Sequence, residues 1–225
     1  MTQIELPASI RAYVNEAARR DDRTGASGFI ALYRAGGGPA CREAALKKAE
    51  AALARPGQEN GAALLFAFDE TGDSRFLQAA ESAAAFSAPV QWEALPFLTT
   101  YDMRLGGKKN AGWIVKQFRA SDAPAAPGAF LAALIDAVDA MDEQLYEHYR
   151  ALVDQFRSLV FARYRDCDKA DLPALYALLK AARLGVLDGE KYQLPAIEAL
   201  ARLPFSPDQA EAYLLALSER VRIKL

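Results

Sequence analysis

Four stretches of this chain follow one grammar when set beneath one another: GFIALYRAGGGPACREAALKKAEAAL, GAALLFAFDETGDSRFLQAAESAAAF, EALPFLTTYDMRLGGKKNAGWIVKQF and PALYALLKAARLGVLDGEKYQLPAIEAL. Each opens on a short apolar segment at helical period, turns at glycine, and continues with a segment whose polar face is wider. Starts near Gly28, Gly61, Glu93, Gly128 and Pro173 lie roughly thirty to forty-five residues apart, the spacing of helical-pair repeats. One such hairpin cannot bury its apolar face alone, so the chain is constrained to an array in which neighbours cover one another.

Alanine and leucine dominate and alternating patterns of strand length are absent, so the sequence predicts an all-α protein. About twelve helices are expected, over 7–20, 25–35, 39–54, 60–70, 74–87, 91–103, 109–119, 127–140, 142–164, 171–184, 189–202 and 206–222. In Thr71-Gly72-Asp73 the glycine can end one helix in the left-handed region and the aspartate can cap the next. Gly36-Gly37-Gly38, Gly106-Gly107 and Asp188-Gly189 do comparable work elsewhere, and Ser206-Pro207-Asp208 offers a cap, a proline at the first position and an acidic first turn.

Such an array either stays open as a superhelix or curls until its ends meet. The segments 7–20 and 206–222 stand outside the four aligned stretches and are natural partners, which predicts six hairpins in a closed (α/α)6 toroid, a single domain spanning 1–225. The alternative is an open helical-repeat solenoid that binds a peptide or protein. A closed ring of this length has a radius of gyration near ~17 Å, and a solenoid is longer.

Other classes are poorly supported. Lys plus Arg number 27 against 29 Asp plus Glu, leaving no cationic surplus for nucleic acid. The opening MTQIELPASI lacks a basic region followed by an apolar run, and no segment approaches ~18 uninterrupted apolar residues, so a cytoplasmic protein without membrane partners is expected. Cys41 and Cys167 read as buried thiols. The sole histidine, His148, has no orienting partner or second ligand nearby, and neither GxxxxGK[ST] nor GxGxxG occurs, so neither a metal nor a cofactor is expected. The run Asp166 to Asp171 lacks the glycine and the bidentate glutamate of a calcium loop and reads as a solvated connection; Arg19-Arg20 and Lys108-Lys109 read as surface charge.

ALLFAFDETGDSRFLQAAE, EALPFLTTY and YALLKAARLGVLDGEKYQLPAIEAL together resemble the six-hairpin toroid of the unsaturated glycuronyl hydrolases, glycoside hydrolase families 88 and 105, over about Gly25 to Leu203. The resemblance implies a carbohydrate-related protein acting on short products of polysaccharide lyases, in which an aspartate protonates the unsaturated uronate and activates water. Counting back from Pro96, that aspartate falls on Pro89 or Val90; the nearest carboxylate is Glu93. Glu59 takes the approximate place of a second family aspartate and is the acid/base the resemblance leaves. The family's Arg-Gly-Asn-Gly-Trp segment corresponds to Ala125 through Phe130, and its sugar-contacting stretch before the last hairpin to Lys169 through Pro173. The implied protein is a shortened relative without the usual catalytic aspartate, non-catalytic or altered in specificity.

The residues expected at a ring mouth are therefore Glu59 and Glu93 as catalytic candidates, with Trp92, Phe130 and Tyr33 against an oligosaccharide. Aromatic faces pack on the C–H surfaces of sugar rings, and carboxylates at helix starts are held ionised by the positive helix end. Trp113, Tyr101 and Tyr176 share the aromatic character, with a core role as the other reading.

Overall fold

A computed structural model describes residues 5–18, 25–87, 90–121, 127–165, 167 and 170–223. Arg19-Arg20, Pro89, Ala125-Ala126, Asp166, Asp168 and Lys169 lie outside them. Among the described residues the chain is all-α, with no strand, as a toroid or helical-repeat sequence requires. Its helices are α1 Ala8–Ala17, α2 Ala26–Arg34, α3 Pro39–Leu53, α4 Gly61–Thr71, α5 Ser74–Ala83, α6 Leu95–Arg104, α7 Ala111–Ala120, α8 Pro127–Ala140, α9 Tyr146–Arg163, α10 Leu172–Arg183, α11 Gly189–Arg202 and α12 Ala210–Arg222.

Each corresponds to an expected helix; the differences lie at the starts of α6, α9 and α12 and at the ends of α1 and of α5, which stops at Ala83 where the sequence predicts helix to 87. Pro96 occupies the first turn of α6, and a 3-10 turn, Trp92–Ala94, precedes it. Another, Pro207–Gln209, precedes α12. Ahead of α9, the Asp142 carboxylate accepts from the Gln144 amide at 2.8 Å and its carbonyl from the Leu145 amide at 2.9 Å, a local turn that competes with helix. The Thr71-Gly72-Asp73 turn forms as read: Gly72 sits at φ +69°, its amide bonded to the Phe68 carbonyl, and Asp73 accepts from the Arg75 amide at 2.9 Å. In the last hairpin the left-handed residue is Gly185 at φ +71°, whereas Gly189 begins α11, where Asp188 caps the Glu190 amide.

The chain divides into two compact units, one of Met1–Ala83 with Leu203–Leu225 and the other of Ala84–Arg202. In the first, α2 packs between α12 and α4, with α3 behind α2 and α4, α1 on α3, and α5 on α4. Its core joins Ile10 and Val14 of α1, Phe29 and Leu32 of α2, Phe66 of α4, and Leu214 and Leu217 of α12. The two expected terminal partners thus share one core, although α12 makes its main packing contact with α2.

In the second unit α8 packs between α6 and α10, with α7, α9 and α11 outside them. α8 and α10 are apolar nearly all round, as helices covered on several sides must be. The one strongly polar seam between them is Lys180, 8% exposed, whose Nζ lies 2.7 Å from Asp136 Oδ1 and 2.8 Å from Asp139 Oδ2. Tyr176 Oη donates to the same Asp136 oxygen at 2.5 Å, so this tyrosine is a buried seam residue and not part of an exposed sugar platform.

Candidate functional site

The inner helices of each unit run parallel, and their amino ends gather. In the second unit Trp92, just ahead of α6, meets Phe130, in the first turn of α8, with ring centroids 5.5 Å apart and planes at 80°. Phe130 in turn meets Phe118 at 5.9 Å. Phe130 is buried and Trp92 half-buried, so Phe130 is the support and the indole the surface. Glu93, beside Trp92, is exposed.

The third helix arrives through Asp171. Its carboxylate accepts from the Ala174 amide at 2.9 Å, capping α10, and also lies directly over the start of α8, where a Cβ on Gly128 would fall 2.6 Å from Asp171 Cγ. Only glycine permits that approach. Beside it the Tyr164 phenol is pushed up to about 12, by burial first and then by the Asp171 charge, so it stays protonated at neutral pH. Glu93 and Asp171 stand where helix dipoles favour negative charge. Trp92, Phe130, Gly128 and Asp171 thus line one end of the α6–α8–α10 row. The sequence pointed to Trp92, Glu93 and Phe130 there. It set Asp171 at the junction of the solvated connection and the helix 171–184 without naming it as a cap, though Asp171-Leu172-Pro173 carries the signal of a capping aspartate before proline in the first turn.

The first unit repeats the arrangement. Glu211, in the first turn of α12, sits against the start of α2, where a Cβ on Gly25 would overlap its carboxylate. Burial raises the Glu211 carboxyl above its ordinary value, while hydrogen bonds from Ser27 and Gly25 and the charge of Lys48 oppose that rise. Glu59 lies in the 3-10 turn Gln58–Asn60 ahead of α4; it is exposed and folds back over Gly57, whose Cβ would meet Glu59 Cδ at 2.6 Å.

Tyr33 is at the opposite end of that row from Glu59. Its hydroxyl donates to Glu70 Oε2 at 3.5 Å, near the carboxyl end of α4, where Arg42 Nε donates to the same oxygen at 2.5 Å; its ring meets Phe66 at 5.9 Å. A helix the length of α4 spans about 16 Å, so Tyr33 and Glu59 do not share a mouth. Glu59 and Tyr33 belong to the first unit; Trp92, Glu93 and Phe130 belong to the second.

Chemically, the second-unit end offers an aromatic surface and two carboxylate acceptors. General acid catalysis near neutrality needs a carboxyl desolvated enough to hold its proton, and neither Glu59 nor Glu93 is buried. Glu211 has such an environment, but its oxygens are engaged by α2. Among the described residues no group of three or more His, Cys, Asp or Glu gathers as a metal site, and no helix is long and apolar enough to cross a membrane. No family model, curated protein or solved structure matches this chain.

Proposed function

We propose that this chain is a carbohydrate-related protein, a single (α/α)6 domain similar in layout to the unsaturated glycuronyl hydrolases, that binds a short oligosaccharide without hydrolysing it. The observation that carries the reading is the half-buried Trp92 propped edge-on by Phe130, with Glu93 next to it in the chain and the Asp171 carboxylate over Gly128 at the start of the same helix as Phe130. An indole face packs against a pyranose, and carboxylates accept from sugar hydroxyls. Both catalytic candidates are exposed, an environment that leaves a carboxyl without the desolvation an acid of this kind requires. The reading includes a cytoplasmic setting, which Cys41 and Cys167, buried and not joined in a disulfide, fit.

Two measurements test it. Unsaturated di- and trisaccharides from pectin and glycosaminoglycans, mixed with the protein, should show no loss of absorbance from the conjugated double bond; a steady fall overturns the non-catalytic half. Titration with those and saturated oligosaccharides should change tryptophan fluorescence in wild type and Trp113→Phe but not in Trp92→Phe. A second reading, a helical-repeat scaffold for a peptide or protein, is favoured by Phe161 on α9 and Leu194 on α11, which are 70% and 55% exposed. Under it every sugar titration is flat.

A further inference from the structure

A cleft of about 390 Å3 opens in the second unit between α9 and the turn joining α10 to α11, lined by none of Trp92, Glu93, Gly128, Phe130 and Asp171. Its walls include Tyr146, Tyr149, Arg150, Asp154, Arg157 and Gly185. The volume is within the ~300–1,000 Å3 typical of small-molecule sites.

The charges of these walls do not cancel. Arg150 is committed: its Nη1 donates to Tyr146 Oη at 3.0 Å, its Nε lies 3.6 Å from Asp154 Oδ2, and its guanidinium sits 5.9 Å from the Tyr146 ring centroid. Arg157 is different. Its Nε donates to the Val186 carbonyl at 2.8 Å, which anchors one edge of this exposed guanidinium, while its terminal nitrogens have no hydrogen-bond or ion-pair partner among the described residues. Of the acids near Tyr149, Asp139 is bound to Lys180, and Glu143 is exposed and not among the cleft walls. The cleft therefore holds one anchored, uncompensated guanidinium.

The other walls define what accompanies the anion. Tyr146 is 56% exposed, a large aromatic surface open to solvent. Tyr149 is raised above its usual range by burial first and then by Glu143, with Arg157 opposing, so its hydroxyl remains a donor at neutral pH.

We propose that this cleft binds a small monocarboxylate bearing a flat ring, its carboxylate forked on Arg157 with the Tyr149 hydroxyl as a further donor and its ring against Tyr146. A planar guanidinium held by its Nε presents parallel N–H donors that match a carboxylate and are poorly matched by a neutral amide. A single excess positive charge favours a monoanion over a dianion. The site is independent of the saccharide reading.

Calorimetry on the full chain with benzoate as ligand, benzamide and inorganic phosphate as comparators, tests the proposal. Benzoate should bind saturably below about 10 mM, with benzamide and phosphate at least about tenfold weaker. Arg157→Gln should abolish binding, and Arg157→Lys, which keeps the charge but not the fork, should weaken it about tenfold. Tyr146→Ala, at an exposed position that leaves the core intact, should weaken benzoate severalfold, while Trp92→Phe leaves it unchanged. Absence of saturation, equal binding of benzamide or phosphate, or wild-type affinity in Arg157→Gln or in Tyr146→Ala overturns the assignment.

Discussion

Replacing Lys180 by methionine keeps nearly the same shape on α10 and removes the one cation between Asp136 and Asp139. Both carboxylates stand on α8, one turn apart, and in the wild type each is within 2.8 Å of the ammonium group. Removing one side of a buried ion pair costs ~3–5 kcal/mol, because the remaining charge is left poorly solvated. Here the acids retain 30% and 38% of their side-chain exposure, which places the cost near the lower end, ~3 kcal/mol. For a chain of this size that corresponds to a fall in Tm of about 6–12 °C.

The assay is thermal unfolding followed by circular dichroism at neutral pH and again in mild acid. Protonation of the stranded acids should shrink the deficit, and Lys180→Met combined with Asp136→Asn and Asp139→Asn should recover most of the lost stability. In the wild type the two carboxylates raise Lys180 well above the ordinary lysine range despite its burial. Its stabilisation is therefore complete below that ordinary value and is lost only as pH rises through the raised one. A Lys180→Met protein melting within about 2 °C of wild type at neutral pH, or one with the same deficit in acid, refutes the reasoning.

Three further outcomes follow from the geometry. Asp171→Ala should cost ~1 kcal/mol as a lost cap, and Gly128→Ala about as much by displacing the same carboxylate, yet the double variant should lose no more than either alone; additive losses in denaturant titrations contradict the contact. Because Glu211 is raised in the folded state, its ionisation on folding costs stability as pH rises from the ordinary carboxylate range through the raised value. The Tm of Glu211→Gln relative to wild type should therefore increase from acid to neutral pH, and a pH-independent difference removes that account. Gly72→Ala should cost ~1–2 kcal/mol for its left-handed backbone, with Gly72→Asn recovering part of it, both read from urea midpoints.

The order and number of the helices were legible because apolar period and glycine spacing are local properties. The Thr71-Gly72-Asp73 turn was readable to the residue for that reason. What local pattern could not supply was which end of a helix a side chain occupies in the assembled row. The sequence places Tyr33 at the ring mouth against a sugar, but it closes the carboxyl end of α4 through Glu70 and Arg42. Asp171 and Gly128 lie more than forty positions apart, and the overlap that makes them one feature exists only after α8 and α10 lie side by side. Glu211 was similarly hidden: nothing in EAYLLALSER announces that its first glutamate closes the start of a helix nearly two hundred residues earlier.

That last contact sets a timetable for synthesis. The main packing partners of α6 through α11 are all synthesised before α12, whereas α2 waits for α12, its principal partner, across the whole of the second unit. A helix made early is thus finished late, and a nascent chain stalled before Ala210 would present the α12-facing side of α2 to chaperones or to its neighbours.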